Sequence, residues 1–341
     1  MKAAVLQDYY KIAIEDVAEP EPAPGEVKIR VVATGICGSE IHAYKGTHPF
    51  RHPPSILGHE LAGDIVTLGA GATKFALGDR VTLNPQKVCG VCEECLAGNE
   101  NRCGNKTMLG VQGWTGSFGE YIVAPERLVY RLPDHLSYEE GTMVEPLAVG
   151  VHGVRVAGVK SGDWVLILGG GTIGLCTLTA ALAAGAGTAI VTDAMDFNLA
   201  KAREMGAAAT VNVRTQDLAK TVAEATGGRG VDHAFVTVGI SPVLNQAIAG
   251  VKKGGQVVVI ALFEGEVKLD DVFAVVGGER VIRGSQTYNP EDVERALELI
   301  ASGQVDAKRF ITQSLPMSEV QRGFEIVDKK LEDCVKVVLR H

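Results

Sequence analysis

The sequence lacks the features that mark nucleic-acid-binding, membrane and secreted proteins. It has no run of Lys or Arg, and its formal net charge of −8 argues against a nucleic-acid partner. The longest apolar stretch, around residues 177–186, is too short and too rich in Gly and Ala to span a bilayer. The N-terminal residues lack the apolar core and cleavage site of a secretory signal, so we expect no targeting segment. Internal repeats and low-complexity segments are also absent.

Cysteine is scarce and unevenly distributed. Of the seven cysteines, Cys37, Cys176 and Cys334 are scattered, which is typical of a protein from a reducing cytoplasm. The other four share one polar loop with the spacing C-x2-C-x2-C-x7-C: Cys89, Cys92, Cys95 and Cys103. Four such thiolates can enclose one tetrahedral Zn2+, with Zn–S bonds of about 2.3 Å, and leave no coordination position open. We predict a structural zinc site; the alternative, a disulfide cluster, needs a secreted character that the chain lacks.

The length of 341 residues predicts two domains, because it exceeds what one hydrophobic core usually supports. Residues 1–150 contain short segments rich in Val and Ile that Gly, Pro and Asp separate, as expected of an irregular β-rich domain. We predict strands there at residues 2–6, 27–34, 61–68, 80–83 and 120–123.

Beyond residue 150, strand patterns alternate with helical patterns, which predicts an α/β domain with a parallel sheet and helices on both faces. The predicted strands are 165–168, 188–192, 210–213, 234–238 and 256–261, and the predicted helices extend to 184 and over 196–205, 218–225 and 243–251. Two helices at 290–302 and 318–328 and a strand at 335–339 are expected to return to the first domain. The expected domains are residues 1–150 with about 290–341, and residues 151–289.

A glycine-rich turn follows the first predicted strand of the second domain. It matches G-x-G-x-x-G at Gly169, Gly171 and Gly174. Such glycines permit a tight turn and close approach of a pyrophosphate, and the following helix offers free N–H groups to phosphate. Asp193 follows the next strand, where a carboxylate binds the adenosine ribose hydroxyls and repels a 2′-phosphate. The pattern predicts NAD rather than NADP; a turn that serves only helix packing, with a surface Asp, is the alternative.

A second set of metal-binding residue types is spread over the first domain. Cys37 ends a predicted strand, His59 and Glu60 follow after about 22 residues, and Glu145 precedes the dinucleotide-binding domain. A thiolate, an imidazole and a carboxylate can hold Zn2+ and leave a position for water or substrate. Each residue alone has a structural explanation, such as Cys37 acting as a small buried apolar side chain. The complete set, next to a nucleotide-binding pattern, favours a catalytic zinc site.

These motifs resemble those of the zinc-dependent medium-chain dehydrogenases, the alcohol dehydrogenase superfamily, over essentially the whole chain. The segments that carry the resemblance are Gly35-Ile36-Cys37-Gly38-Ser39, Gly58-His59-Glu60, the four-cysteine loop, Val144-Glu145-Pro146-Leu147 and the turn Gly169–Gly174. The chain is most similar to the branch of polyol (sorbitol-type), threonine and 2,3-butanediol dehydrogenases. Glu145 replaces the second Cys of ordinary alcohol dehydrogenases, which favours the polyol-like branch.

The resemblance implies a GroES-like catalytic domain joined to a Rossmann domain, with the active site in the cleft between them. It further implies two zinc ions per subunit and a homotetramer. Cys37 and His59 would bind the catalytic zinc, with Glu60 or Glu145 as the third protein ligand. Glu60 would also be a catalytic residue. The cofactor contacts would include Thr172, Ile173 and Val238.

The resemblance also implies a route for the proton of the substrate. Zinc would lower the pKa of the substrate hydroxyl. Ser39 would take the proton and pass it through the cofactor ribose to His42, which would deliver it to water. A hydroxyl that caps a turn and a surface histidine are the plainer alternatives for these two residues.

The implied reaction is hydride transfer from a secondary alcohol of the polyol type to NAD, which gives the ketone. Tyr288 fits the polyol-binding stretch of the family, but Thr287 stands where the family has Arg, so sorbitol itself is in doubt. Asn198 stands where relatives often carry Lys or Arg near the ribose. The loop at residues 44–51 is expected to overhang the site, and its basic and aromatic side chains suit a polar substrate or a subunit contact.

Other functions fit the sequence less well. A threonine 3-dehydrogenase or a 2,3-butanediol dehydrogenase is the alternative within the same branch, although no clear pair of groups for the ammonium and carboxylate of threonine is evident. A non-catalytic nucleotide-binding protein would have lost a metal ligand, and all the candidate ligands are present. The four-cysteine loop and Cys37 argue against a zinc-free quinone reductase. Neither a nucleic acid nor a membrane is expected as a partner.

Overall fold

The computed structural model describes residues 1–111, 113–263 and 265–341. Within these ranges, no helix is both long and apolar enough to cross a bilayer. The strands are β1 Lys2–Asp8, β2 Lys11–Asp16, β3 Glu26–Gly35, β4 Ser55–Ile56, β5 Glu60–Leu68, β6 Arg80–Leu83, β7 Gln86–Lys87, β8 Thr107–Met108, β9 Tyr121–Pro125, β10 Val129–Arg131, β11 Trp164–Leu168, β12 Thr188–Asp193, β13 Ala209–Asn212, β14 Val231–Val236, β15 Val251–Val259, β16 Val281–Gly284, β17 Ile311–Pro316 and β18 Lys336–Arg340.

One helix, α4 at Val144–Ala157, crosses the predicted domain boundary at residue 150. The helices are α1 Gly38–Lys45, α2 Glu93–Leu96, α3 Tyr138–Thr142, α4 Val144–Ala157, α5 Thr172–Ala183, α6 Asp196–Glu204, α7 Leu218–Thr226, α8 Ser241–Gly250, α9 Val272–Gly277, α10 Pro290–Ala301 and α11 Val320–Lys329. The chain divides into two compact units, the first formed by Met1–Glu145 with Asn289–His341 and the second by Pro146–Tyr288.

The first unit is built on a seven-stranded sheet in the order β10-β6-β5-β3-β18-β17, with β9 paired to β3. The long strand β3 pairs antiparallel with β5, β9 and β18, and in the last pair Leu339 lies opposite Thr34. The C-terminal strands therefore complete a sheet that the N-terminal part of the chain begins. Two apolar clusters pack on it, one of them around Tyr44, Phe118 and Phe324.

The second unit is a six-stranded sheet in the order β13-β12-β11-β14-β15-β16, and every pair in it is parallel. Counted within the unit, this order is 3-2-1-4-5-6, the Rossmann arrangement. The predicted α/β domain is confirmed. The strand order reverses at β11, and ligands of such sheets bind beyond the carboxyl end of the strand at the reversal. The glycine-rich turn begins at this position, directly after Leu168.

The sequence did not predict seven of the described strands, namely β2, β4, β7, β8, β10, β16 and β17. In β2 the charged residues Lys11 and Asp16 are exposed and Glu15 is half-buried, and the strand forms because its backbone pairs with β1. β16 has four exposed residues at the edge of the parallel sheet. Such strands depend on pairing with a neighbour, so local hydrophobic alternation does not reveal them.

Candidate metal centres and cofactor site

The four-cysteine loop brings its sulfur atoms together. The Sγ atoms of Cys92 and Cys95 lie 3.4 Å apart, those of Cys89 and Cys103 3.6 Å apart, and those of Cys89 and Cys95 4.0 Å apart. Four sulfurs around one tetrahedral zinc ion are separated by about 3.8 Å, given Zn–S bonds of about 2.3 Å. The donor set and its spacing therefore fit Zn2+.

The electrostatic environment of these thiols is uneven. The backbone N–H groups of Val91 and Cys92 donate to the sulfur of Cys89 and lower its pKa to about 6. Burial and the neighbouring thiols instead raise the pKa of Cys95 to about 12. A metal ion that enters the loop must therefore displace protons, so its affinity depends on pH.

A second group of ligand atoms comes from Cys37, His59 and Glu60, which lie within 4.8 Å of one another. Cys37 does not end the strand as expected: β3 stops at Gly35, and Cys37 occupies the N-cap position of α1. His59 and Glu60 stand at the start of β5. One thiolate, one imidazole and one carboxylate match a zinc site that keeps a coordination position open.

Gly35 is required for this geometry because Glu60 lies directly beside it. The two residues are partners in the β3–β5 register. A Cβ atom at position 35 would stand 2.0 Å from Oε2 of Glu60. Any larger residue there would push the carboxylate out of the group.

Lys336 holds the carboxylate of Glu60 from the other side. Its Nζ donates to both oxygens of Glu60 at 2.8 Å and to the carbonyl oxygen of Ile36 at 3.1 Å. Burial lowers the pKa of Lys336, but the charges of Glu60 and Cys37 outweigh it and raise that pKa above its ordinary value. Lys336 therefore stays charged in the interior and fixes the orientation of Glu60.

Glu40 holds His59 in a similar way. Its Oε1 lies 2.5 Å from Nδ1 of His59, and its Oε2 accepts the N–H of Cys37 at 2.7 Å. Burial lowers the pKa of His59, but Glu40 and Cys37 outweigh it and raise that pKa well above its ordinary value. The contact to Nδ1 leaves Nε2 as the metal-binding nitrogen, which is the usual arrangement of a histidine ligand with a carboxylate behind it.

The two residues expected to carry the proton lie on α1. The Oγ of Ser39 accepts a hydrogen bond of 2.8 Å from Nη1 of Arg51. His42 has its Nδ1 3.1 Å from the hydroxyl of Thr47. The expected loop at residues 44–51 is shorter than predicted, because Tyr44 is buried at the end of α1 and Arg51 is buried as well.

Three other predicted site residues occupy different surroundings. Glu145 is buried near the start of α4, but its carboxylate is not within 4.8 Å of all three atoms of the Cys37 group. Tyr288 is fully buried, and Thr287 has a positive φ of 46°, which is unusual for a β-branched residue. Thr287 and Tyr288 belong to the second unit, whereas the Cys37 group lies in the first.

The glycine-rich turn forms an open cradle at the start of α5. Gly169 has a φ of 113°, and a Cβ at Gly174 would stand 1.8 Å from the carbonyl oxygen of Gly169, so both positions require glycine. A Cβ at Gly171 would instead meet no atom within 4 Å, which leaves the space that a pyrophosphate would take. Thr172 and Ile173 open the helix.

Asp193 and Val238 frame the same turn. Asp193 ends β12 and accepts the N–H of Gly170 at 2.7 Å through Oδ2 and that of Met195 at 2.8 Å through Oδ1. Val238 lies two residues beyond β14, since that strand ends at Val236 rather than at 238 as predicted. Its methyl group approaches Gly169. The surroundings fit a dinucleotide.

The sequence patterns gave no role to two charged residues beside the Cys37 group, Glu40 and Lys336, and they placed Arg51 in a substrate or subunit loop rather than beside Ser39. A lone lysine in the apolar segment Val335–Leu339 was a usable indication, because a buried lysine needs a carboxylate partner. Glu40, three residues after Cys37, matches the spacing of a capping residue. Nothing in the sequence indicated that Arg51 contacts Ser39.

Replacement of Cys95 with Ala should release one zinc ion per chain and lower the melting temperature by about 5 °C or more, because metal binding contributes to folding. Zinc content by mass spectrometry of the element and thermal unfolding measure the two effects. The buried Cys176 is a matched control, and Cys176→Ala should keep the zinc. Unchanged zinc content in Cys95→Ala would contradict the structural site.

The cradle predicts that alanine at Gly171 impairs cofactor binding, whereas alanine at Gly174 impairs stability. Gly171→Ala should keep the melting temperature but weaken NADH binding by about tenfold or more, because the added methyl group enters the open space. Gly174→Ala should destabilise the fold by about 1–3 kcal/mol through overpacking against Gly169. NADH fluorescence titration and thermal unfolding separate them, and wild-type NADH affinity in Gly171→Ala would disprove the placement of the pyrophosphate.

Comparison with known proteins agrees with this geometry. Residues 23–134 match the alcohol dehydrogenase GroES-like domain, and residues 172–302 match the zinc-binding dehydrogenase domain. The first unit is thus GroES-like, and zinc and a nicotinamide dinucleotide are the cofactors of the enzyme.

Relatives that align over nearly the whole chain identify the branch of the family. The chain is 36% identical to sorbitol dehydrogenase of Bacillus subtilis (strain 168), over 99% of this chain and 97% of the relative. It is 37% identical to D-arabitol-phosphate dehydrogenase of Enterococcus avium, over 94% and 91% of the two chains. The crystal structure of 2R,3R-butanediol dehydrogenase from Bacillus subtilis superposes with a TM-score of 0.92 at 33% identity, over 100% of this chain and 99% of the other. The chain therefore belongs to the zinc-dependent medium-chain dehydrogenases, in the branch of polyol and butanediol dehydrogenases.

Proposed function

We propose that the protein oxidises a secondary alcohol of the polyol class to the ketone with NAD as the hydride acceptor. The observation that carries the proposal is the group of Cys37, His59 and Glu60, whose donor types and proximity suit an open zinc site. The same chain holds a closed four-thiolate site and a dinucleotide cradle. A metal ion with an open coordination position can bind the alcohol oxygen, and a nicotinamide can accept the hydride, so the two together suit the oxidation of an alcohol to a ketone.

The third protein ligand in this proposal is Glu60 rather than Glu145. Only Glu60 lies within 4.8 Å of both Cys37 and His59 as part of a described group. Lys336 holds both oxygens of Glu60, and Glu40 holds His59, so both ligands are oriented before a metal ion binds.

The proposed mechanism assigns separate tasks to the residues around that group. When bound, zinc supplies a Lewis acid and the nicotinamide supplies a hydride acceptor. Ser39, at the first turn of α1, accepts the proton of the substrate hydroxyl. His42 lies one turn further along the same helix, next to Thr47, and would deliver that proton to water.

NAD rather than NADP is the proposed cofactor. The carboxylate of Asp193 is fixed by the N–H groups of Gly170 and Met195 at the edge of the cradle. A fixed carboxylate there can accept hydrogen bonds from ribose hydroxyls and repels a 2′-phosphate. Asn198, which lies beside Gly170, adds no positive charge to offset that repulsion.

The substrate class rests on the chemistry shared by the relatives. Sorbitol, arabitol phosphate and 2,3-butanediol all carry a secondary hydroxyl with a hydroxyl on the neighbouring carbon. A butanediol dehydrogenase is the second candidate, because Thr287 replaces the charged donor that a longer polyol would use and because the butanediol enzyme aligns over the whole chain. Threonine 3-dehydrogenase remains the third.

Activity on a panel of alcohols tests this function. Zinc-loaded protein should produce NADH with one class among sorbitol, xylitol, galactitol, inositols, the butanediol stereoisomers and threonine, and it should prefer NAD to NADP.

Cys37→Ala should abolish turnover and leave about one zinc ion per chain, since the four-cysteine site remains. Full activity of Cys37→Ala would disprove the catalytic zinc site, and turnover of threonine alone would replace the polyol proposal.

A homotetramer is part of the proposal. The edge strand β16 and helix α9 expose apolar side chains, with Phe273 at 80% and Val276 at 69% exposure, and the zinc loop exposes Val91 and Leu96. Exposed apolar surface next to an unpaired strand edge is typical of an interface. Light scattering coupled to size exclusion should give four chains per particle, and Ile282→Lys should dissociate it; a wild-type monomer would contradict the proposal.

A further inference from the structure

Arg51 is a buried cation at the site that has no role in the mechanism above. Its side chain is only 4% exposed, although the sequence predicts a loop that overhangs the site at this position. Nη1 donates to Oγ of Ser39 at 2.8 Å, and Nη2 lies 3.5 Å from the carbonyl oxygen of Leu109. The guanidinium therefore stands against the hydroxyl that the proposed mechanism uses.

The direction of this hydrogen bond is fixed by the chemistry of arginine. A guanidinium has five N–H donors and no acceptor, so Oγ of Ser39 must accept. The hydrogen of the Ser39 hydroxyl then points away from Arg51, and one lone pair remains for another donor. Without Arg51, the hydroxyl can rotate freely and can turn its hydrogen toward any nearby acceptor.

The surroundings of Arg51 hold it in place. The Nδ1 of His48 accepts the backbone N–H of Arg51 at 3.1 Å. Burial, together with the charge of Arg51, lowers the pKa of His48 to about 4, so the ring stays neutral and can accept. Oε1 of Glu40 lies 3.9 Å from Nη1 and supplies a nearby negative charge.

Arg51 is nevertheless incompletely satisfied, which sets it apart from a purely structural arginine. Its Nε is buried and has no hydrogen-bond partner among the described residues. Arg80 in the same unit instead gives its guanidinium to the carbonyl oxygens of Pro133, Asp134 and Leu136. A buried donor without a partner costs free energy, so stability alone does not account for Arg51.

We propose that Arg51 is a positioning residue that fixes the Ser39 hydroxyl in the rotamer and hydrogen-bond direction needed to exchange a proton with the substrate. The proposal rests on the proposed alcohol oxidation. Arg51 acts through Ser39, and no bond to Arg51 forms or breaks during turnover. Loss of Arg51 should therefore impair the proton step and leave cofactor binding unchanged.

The first experiment compares Arg51→Met with the matched control Arg80→Met, and uses the alcohol that the wild type oxidises best. Arg51→Met should lower kcat by about tenfold to a hundredfold, the range of one proton-transfer contribution. Its KM for NAD and its zinc content should stay within about twofold of the wild type. The solvent deuterium isotope effect on kcat should rise in Arg51→Met only, because a poorly oriented hydroxyl makes proton transfer slower. Arg80→Met should lower the melting temperature without this isotope effect.

A double-mutant cycle with Ser39→Ala gives a second readout. In the Ser39→Ala background, Arg51→Met should lower kcat by less than about threefold, since the hydroxyl that it positions is absent. The same cycle on thermal unfolding of metal-free protein should show that the two shifts in melting temperature are not additive. Arg51→Lys, which keeps the charge and one donor, replaces Arg51→Met if the latter does not fold, and it should retain part of kcat.

Additive effects in both cycles, with an unchanged isotope effect, would overturn the proposal and leave Arg51 as a counter-charge for Glu40. Loss of zinc from Arg51→Met would also overturn it, because the defect would then lie in the metal site. If the wild type oxidises no alcohol of the panel, the proposed function fails separately. Additive shifts in melting temperature would then also show that Arg51 and Ser39 do not interact, which would overturn the proposal.

Discussion

The buried ion pair between Lys336 and Glu60 is the contact on which the first unit depends. Both side chains are 2% exposed or less, and removal of one partner from such a pair costs about 3–5 kcal/mol. Lys336 lies on β18 and Glu60 begins β5, with β3 between these strands in the sheet. The pair can therefore form only after the last strand of the chain has joined the sheet. The candidate metal ligand is held by a cation that lies 276 positions later in the sequence.

Charge compensation extends from this pair through the rest of the metal group. Glu40 is fully buried, and its pKa is held below the ordinary value, against the cost of burial, by His59 and Arg51. The pairs Glu40–His59, Glu40–Arg51 and Glu60–Lys336 thus bring opposite charges within about 4 Å, a distance at which the attraction offsets desolvation. The partners also fix side-chain orientation, so the geometry for a metal ion exists before one binds. The same contacts serve stability and chemistry.

Sequence patterns predict an element correctly where a short stretch of chain contains everything that determines its structure. The Val- and Ile-rich segments gave the buried strands, and the glycine turn with Asp193 gave the cradle, because a turn, a strand and a helix N-terminus are local structures. Patterns failed for β2, β16 and β17, whose exposed or mixed residues form strands only through their neighbours. They also failed for β4, β7, β8 and β10, which have only two or three residues each. The patterns also extended the loop into α1 and placed Cys37 at a strand end, since helix ends depend on caps that tertiary contacts select.

The sequence by itself determined the types of ligand and their order: four thiols in one loop, and a thiol, an imidazole and two carboxylates spread along the chain. Only the tertiary structure brings Glu60 within 4.8 Å of both Cys37 and His59. It alone showed that Arg51 is buried against Ser39 and that Lys336 reaches Glu60. The physical reason is that the identity of a donor group is a property of one residue. The charges and hydrogen bonds that orient it come from strands and loops that only folding brings together.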